Sequence, residues 1–473
     1  MKEMTNIQKQ TLAVVAILFL FLHINIAFAS NTDTIDSLLK NHMKESSLPG
    51  MAVGVIKNNE INYKKTRGVD GHGDTLTTST PMFIGSLSKS MTALAVMQLV
   101  EEDLVSLDDP IKNYIPYFQV QNPELSKNIT VRNLLNHESG LANTKKLPST
   151  RLEASLQERI KALSNLEEAT GNGEEYHYFN DNYNLLGLLI EEVTGKTYAT
   201  YMKDAIFTPL GMDNTTADLS KIKEKDIHGY TTIFGFSKGK ELNIPRYDIP
   251  AGFILSNLND MTKYLSFLIK KDHNILSNQG FEQMRTASEN SSYGMGWNIR
   301  EVNGKRLVEH SGTVPGFNAH IAFIPETKSG YIYIINQNYM FGNIKGNLLK
   351  VITNQTDFKH FPYTLLSRII AFVILILMAK DIWNTIRLVK AKRSKQAWIK
   401  EGIKSLLLGL FLSLGLPLIL TNFLHLTVNF KRMLIYTPDL ALFWIVSISI
   451  QVVNLSISLW QLYRTNDKNT LSH

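Results

Sequence analysis

The sequence predicts an α+β fold: an antiparallel sheet flanked by helices, with a helical subdomain, followed by a C-terminal transmembrane helix bundle. Three observations carry that expectation. Strand-turn-strand patterns occur far apart in the chain, Met51 to Ile56 with Ile61 to Tyr63 around Asn58-Asn59, and Ala319 to Ile324 with Tyr331 to Ile335 around Glu326 to Gly330. Between them the apolar residues follow a helical period, at Ser90 to Glu102, Val131 to Asn136, Asn184 to Thr194 and Asp260 to Ile269. Beyond them, long apolar stretches replace the mixed pattern. The economical arrangement builds one sheet from both ends of the domain and inserts a mostly helical segment between them.

At the N-terminus, Thr11 to Leu22 are apolar behind Lys2 and Lys9, and Ala27-Phe-Ala29 has the small-x-small pattern of a signal-peptidase site. Residues 1–29 therefore read as a signal peptide cleaved after Ala29, with an uncleaved anchor helix as the alternative. A first helix is expected from Thr34 to Lys44 within an extracytoplasmic domain at 30–351. A linker at 352–362 leads to three spans at about 363–383, 405–424 and 440–463. The first span carries Arg368, Lys380 and Asp381, so it crosses only if its end charges snorkel or Arg368 has a partner. Lys390, Lys392, Arg393, Lys395 and Lys400 crowd the loop at 384–404, which marks that loop, and with it the tail at 464–473, as cytoplasmic. The domain then lies outside the cell membrane. On the last span, Ser447, Gln451, Asn454 and Gln461 share one face, as expected for interhelical hydrogen bonding.

The basic pI of about 9.1 suggests nucleic acid until the charge is placed. Of 49 Lys and Arg and 42 Asp and Glu, residues 361–473 hold 13 and 4, and residues 1–29 hold 2 and 1. Residues 30–360 keep 34 and 37, a net charge of −3, so the basicity reports membrane topology and no nucleic-acid partner is expected. The chain has no cysteine, which excludes disulfides, thiol catalysis and thiolate metal sites.

Three short signals stand in one order: Ser86-Leu-Ser-Lys89, Tyr178-Phe-Asn180 and His310-Ser311-Gly312. Ser-x-x-Lys alone means little, since Ser37/Lys40, Ser220/Lys223 and Ser237/Lys240 repeat it. Context distinguishes Ser86. Phe83-Ile84-Gly85 precedes it and the apolar run Met91 to Val100 follows, which reads as a tight turn feeding a buried helix. Tyr-x-Asn and His-x-Gly each occur once.

With these motifs, the region from about Pro49 to Asn338 resembles the class C β-lactamase and penicillin-binding-protein superfamily of serine hydrolases. Further phrases match: Leu107-Asp-Asp-Pro110, Ile129 to Leu141, Pro209-Leu-Gly-Met212, Pro250-Ala-Gly252 and Tyr293-Gly-Met-Gly-Trp297. The resemblance implies a serine β-lactamase-like domain with a cleft between the sheet and an all-helical subdomain.

Ser86 at a helix start would sit beside unpaired N–H groups, and Lys89, one turn on, could share its proton once burial lowers its pKa. Tyr178 held near Lys89 would take the Ser86 proton and deliver it to the leaving group; which of the two is the base stays open. Asn180 fits an amide ligand for a substrate amide. His310, Ser311 and Gly312 are expected at a strand edge beside Ser86, with Gly312 permitting close approach. By resemblance, the N–H groups of Ser86 and Thr313 form the oxyanion hole.

Many family members have Lys where this chain has His310. A histidine is mostly neutral at pH 7, which favours peptidase and esterase chemistry over β-lactam hydrolysis, and it should gain charge toward pH 6. His137-Glu138 and Asp70-Gly-His-Gly-Asp74 read as structural turn and loop rather than metal ligands. No cofactor or metal is expected. The function expected is a membrane-anchored serine peptidase or amidase, D-amino-acid-directed by resemblance alone, acting on a small peptide, D-amino-acid amide, ester or β-lactam. The alternatives are a β-lactamase or carboxylesterase of the same fold, or a catalytically idle sensor of cell-wall peptides. A hydrolase followed by three spans also resembles peptidases that mature exported peptide prodrugs.

Overall fold

Asn58 and Asn59, at φ 49° and 70°, make the two-residue turn that joins the first two strands, β1 (Gly50–Lys57) and β2 (Glu60–Gly68). Two successive left-handed residues match the right-handed twist of the flanking strands, and asparagine accepts that conformation. The structure is a computed structural model that describes residues 35–142, 148–167, 175–220, 227–233, 236–270, 274–338, 343–359, 363–390, 394–411 and 438–470. The signal segment, the tip of the linker at 360–362 and most of the second expected span lie outside the described residues.

Five later strands complete the sheet: β3 (Tyr293–Gly294), β4 (Trp297–Val302), β5 (Lys305–Val314), β6 (Phe317–Ile324) and β7 (Ser329–Ile335). The order is β2-β1-β7-β6-β5-β4-β3, and every pairing is antiparallel. Both ends of the domain thus meet at the β1–β7 pairing, as the sequence pattern predicts.

The main described helices are α1 (Ile35–Ser46), α2 (Ser88–Glu101), α3 (Val131–Leu135), α4 (Leu156–Ala162), α5 (Asn180–Thr194), α6 (Leu258–Lys270) and α7 (Ile344–Ile352). Strand alternation divides the core in two. Met51, Val53, Val55, Tyr331 and Tyr333 face Leu38 and Leu39 of α1 and Leu348 of α7. Ala52, Ile56, Ile321, Ile332 and Ile334 face the larger cluster that holds α2, α5 and α6. Helix α2 is buried on nearly every side, so it runs through the centre of the domain rather than over its surface.

Register explains the cleft. Strand β4 pairs with β5 from Val302↔Lys305 to Asn298↔Glu309, whereas β6 continues along β5 to Val314. From His310 onward β5 therefore has no β4 partner, which provides the strand edge expected of His310 to Gly312.

Beyond the domain stand α8 (Tyr363–Lys390), α9 (Lys395–Leu410) and α10 (Pro438–Thr470). Among the described residues one helix, Ala441–Arg464 in the third expected span, is long and apolar enough to cross a membrane, at a mean hydropathy of 1.9, which corrects the expected bundle of three spans to one candidate. The polar face of α10 turns inward: Ser447, Gln451, Asn454 and Ser458 are buried, and Thr385 of α8 donates to Asn454 Oδ1 at 2.7 Å. Arg368 of α8 has its guanidinium 4.5 Å from the Phe236 ring centre. Ahead of α8, Asn347 clamps the backbone N–H and C=O of Lys359 at 2.9 and 2.8 Å, folding the far part of the linker back onto α7.

Candidate active site

A short 3-10 turn at Gly85–Leu87 runs directly into α2 and presents Ser86 at its start. Gly85 has φ 58°, and a Cβ there would lie 2.5 Å from Thr313 N. A Cβ on Gly312 would lie 2.1 Å from Ile84 O and 3.0 Å from Ser86 N. Glycine at both positions lets the β5 edge press against the turn, so that the backbone N–H groups of Ser86 and Thr313 come together. Ser88 locks the turn by donating to Gly85 O at 2.8 Å and accepting from Ile254 N at 3.2 Å.

Lys89 is completely buried one turn beyond Ser86. Its ammonium reaches Ser86 Oγ at 3.1 Å, Asn180 Oδ1 at 2.9 Å and Ala251 O at 2.6 Å, and lies 4.8 Å from the Tyr178 ring centre. All three acceptors are neutral. Burial pulls the Lys89 pKa well below the ordinary lysine value, against the opposing charges of Asp248 and Asp181. Tyr178 is 38% exposed, but its hydroxyl points inward and hydrogen-bonds Ser86; desolvation there raises the phenol above the usual range while that bond works the other way. Ser86, Lys89 and Tyr178 thus form one hydrogen-bonded group able to move a proton away from the serine hydroxyl.

The remaining site residues divide. Asn180 is at the site, but both ends of its amide are engaged by the protein: Oδ1 accepts from Lys89, and Nδ2 donates to Asp248 at 3.2 Å. His310 lies on the cleft face of β5, 2% exposed, with Nδ1 against Ser311 O at 2.8 Å and Nε2 against the Tyr293 hydroxyl at 3.0 Å. A carbonyl only accepts, so Nδ1 carries the proton and Nε2 accepts from Tyr293. Burial, and then the nearby Lys89, lowers its pKa to about 3. The expectation that His310 charges toward pH 6 is therefore corrected: the ring is desolvated and both nitrogens are occupied.

Ser311 is also corrected. Alternation turns its side chain to the other face of the sheet, where Oγ meets His320 Nδ1 at 2.9 Å and Lys345 Nζ at 3.3 Å. Thr313 keeps its backbone at the site, while its hydroxyl accepts from Asn318 at 2.9 Å.

Around the site stand residues that the sequence reads as structural and others that it leaves unread. His137, at φ 60°, has its ring 4.3 Å from that of Tyr178, 5.1 Å from Tyr183 and 5.0 Å from Tyr293, and its Nδ1 accepts from Phe179 N at 3.2 Å. It is a structural turn residue, as expected, and it fixes the segment that carries Tyr178. Glu138 accepts from Ser288 at 2.5 Å, and Asp70 caps its own loop through His72 N and Asp74 N. Behind Asn180, Asn184 donates to both Asp248 and Asp181, and Arg159 grips Asp181 through two bonds at 2.6 and 2.8 Å. Only the Pro250-Ala-Gly252 phrase marked this region, because Ala251 O belongs to it. Of the other Ser-x-x-Lys pairs, Ser37/Lys40 lies on α1 and Ser237/Lys240 on the 236–240 strand, away from the cleft, while Lys223 falls outside the described residues.

Comparisons with known proteins bear on the family and the fold. Protein flp of Staphylococcus aureus (strain MW2) is 27% identical over 321 residues, spanning 64% of this chain and 63% of the relative's length. PbpX of Bacillus subtilis (strain 168) is 30% identical over 318 residues, 65% of this chain and 74% of PbpX. Among solved structures, the octameric penicillin-binding protein homologue from Pyrococcus abyssi superposes with a TM-score of 0.61 at 29% identity, covering 71% of this chain and 80% of that one. A D-stereospecific amidohydrolase from Streptomyces sp. shares the fold at 21% identity and a TM-score of 0.55, over 65% of this chain and 95% of its own. The Beta-lactamase family profile matches residues 35–353, a stretch that begins with α1, ends just past α7 and contains the whole of the cleft. By that match the chain belongs to the Beta-lactamase family.

Proposed function

We propose that the protein is a membrane-anchored serine hydrolase that forms an acyl-enzyme on Ser86 and releases it to water. The contact of the buried Lys89 ammonium with Ser86 Oγ, at 3.1 Å and with neutral acceptors alone around it, carries this reading. In its deprotonated form the Lys89–Tyr178 pair takes the Ser86 proton as Oγ attacks the substrate carbonyl. The oxyanion is held by the N–H groups of Ser86 and Thr313. The pair then protonates the leaving amine or alcohol as the tetrahedral intermediate collapses. The deprotonated pair then takes a proton from the water that attacks the ester and returns it to Ser86 Oγ as the acid leaves, restoring Ser86 and the deprotonated pair.

The preferred substrate is an amide beside a D-amino acid, in a cell-wall peptide or a secreted peptide prodrug. Neutral His310 favours substrates without a carboxylate at that position, so peptidase, amidase and esterase chemistry stand ahead of β-lactam hydrolysis. The intact Ser86, Lys89 and Tyr178 count against an idle sensor. The apolar stretch Ala441–Arg464 supports anchoring. With the loop at 384–404 in the cytoplasm, an odd number of crossings puts the hydrolase outside the cell.

A fluorophosphonate probe tests the nucleophile. It should label the wild-type chain and fail to label a folded Ser86→Ala variant; labelling that persists in Ser86→Ala on another serine overturns the reading. On intact cells, an impermeant lysine reagent should modify the 35–359 domain and spare the loop around Lys395. The opposite pattern would overturn the outward placement.

A further inference from the structure

We propose that Asp248 is a positioning residue for the proposed acyl-transfer reaction: its half-buried carboxylate, acting through Asn180, sets how tightly the Lys89–Tyr178 pair holds its proton. The inference rests on the acylation of Ser86 proposed above and adds the group that tunes it.

The geometry is a chain of alternating amides and charges. Lys89 donates to Asn180 Oδ1, and the other end of that amide donates to Asp248 Oδ2 at 3.2 Å. Asp248 Oδ1 accepts from Asn184 at 3.0 Å, and the same Asn184 amide donates to Asp181 at 2.9 Å. An amide between a cation and an anion is fixed in orientation: oxygen toward Lys89, nitrogen toward Asp248. Asn180 is thus aimed by Asp248, and its oxygen is held ready for the lysine proton.

The charges around Lys89 single out Asp248. Helix α5 contributes Asp181, but Arg159 of α4 neutralises it through the two-bond pair. The cleft strand β5 contributes His310, and the turn after α3 contributes His137; burial holds both rings neutral. Tyr178 and Tyr183 present ring faces 4.8 and 5.7 Å from the Lys89 nitrogen. The segment Arg246–Gly252 contributes Ala251 O and Asp248, whose two oxygens each accept from an amide. Asp248 is therefore the carboxylate facing Lys89 that has no guanidinium gripping it. Burial raises its own pKa while the Lys89 charge lowers it, and it stands first among the charges that oppose the loss of the Lys89 proton.

The consequence has a definite sign. Removing the carboxylate charge makes it easier for the Lys89–Tyr178 pair to lose its first proton, whichever of the two residues gives it up. The acid limb of the acylation rate should then move to lower pH. An opposite charge at such range shifts a pKa by about one unit or more.

Single-turnover acylation of the detergent-solubilised full chain by a p-nitrophenyl ester, followed from about pH 5 to 9, reads that limb. Asp248→Asn and Asp248→Ser should shift it down by about one unit, so that at a pH one unit below the wild-type limb each variant runs at a fraction of its own plateau about five-fold larger than the wild type does. Asp248→Glu keeps the charge and should keep the limb, even if its plateau rate falls. If the neutral variants fold, take up the fluorophosphonate probe and retain the wild-type limb, the proposal is overturned. If neither neutral variant folds, the carboxylate serves the fold and the proposal falls equally. A wild-type chain that takes no fluorophosphonate overturns the Ser86 reading instead, so the two failures are distinguishable.

Discussion

Lys89 and Arg159 are both buried in this domain, and the protein treats the two cations in opposite ways. Arg159 is 3% exposed and bound to a carboxylate by two bonds, with Pro148 O and Thr150 Oγ1 taking a further donor at 2.8 and 2.7 Å. Burial alone would lower its pKa, but Asp181 more than offsets that and holds the guanidinium charged. Lys89 is buried to the same degree and meets a hydroxyl, an amide oxygen and a carbonyl. Among the described residues, none in direct contact with it carries a full negative charge. The difference teaches that burial by itself is neutral with respect to role: a carboxylate in contact makes a buried cation part of the scaffold, whereas neutral acceptors with a carboxylate one amide away leave its proton available.

The largest expected effect is a crossed pattern between those two positions. Lys89→Met should slow acylation by about three powers of ten, as expected when an acid–base partner is lost, and leave thermal stability equal or higher, because an apolar side chain replaces a desolvated amine. Arg159→Met should do the reverse. Asp181 would be left buried without its partner, at a cost of about 3–5 kcal/mol, while the folded fraction still reacts with the fluorophosphonate probe. Chemical denaturation and probe-reaction rates on the same preparations check both arms. Equal stability losses, or equal rate losses, would erase the distinction drawn here.

Much of this arrangement was legible in the sequence, and the legible part has a common character. Strands β1, β2, β6 and β7 were signalled by alternation around Asn-Asn and Gly-containing turns, and α2 by an apolar run behind the Gly85-Ser86 turn, because such patterns are local. Strands β3 and β4 were not read: Tyr293-Gly-Met-Gly-Trp297 was seen as a phrase rather than as strand and turn. Ser86, Lys89 and Tyr178 announced themselves by type and spacing. Ser311 was misassigned to the site because a motif does not state which residues of a strand point into the cleft, and alternation then sends every second one away. Asp248 and Arg159 left no local trace at all. Their meaning depends on contacts across 68 and 22 residues of chain, with Asn180 and Asp181, that the fold alone creates.

A second effect extends the comparison from cations to buried bases. His137, His310 and His320 are all held neutral by burial, with pKa values lowered well below the ordinary range for His137, to about 3 for His310 and to about 4 for His320. The unfolded chain takes up these protons near pH 6.5 and the folded chain does not. Their contribution to stability is therefore fully present above about pH 6.5 and is lost as pH falls toward the folded values, by at most about 1.4 kcal/mol per unit for each histidine. Glu309 adds to the loss at lower pH: burial alone would raise its pKa, but hydrogen bonds from His320 and Arg300 bring it down to about 2. The melting temperature should decline steadily from about pH 6.5 to 4. A flat profile over that interval would mean that the three rings are solvated in solution, and the claim that burial keeps His310 neutral would go with it.

The smallest expected effect is the sharpest test of the cleft's charge. His310 stands where a permanent cation would bind a substrate carboxylate, yet both of its nitrogens are spent inside the protein, on Ser311 O and on the Tyr293 hydroxyl. A glutamine at this position can present its amide oxygen to Tyr293 and is neutral at every pH, so His310→Gln reproduces the electrostatics assigned to the wild type. For matched ester substrates with and without a carboxylate, the ratio of acylation rates should not change between about pH 5 and 8 in either protein, and the two ratios should agree within a few-fold. If the wild type favours the carboxylate ester increasingly as pH falls toward 5, and His310→Gln abolishes that trend, the histidine gains its proton in the open cleft after all. Lys89 would then share the site with a second titrating cation, and the contrast between a scaffold charge at Arg159 and a lone labile charge at Lys89 would have to be redrawn.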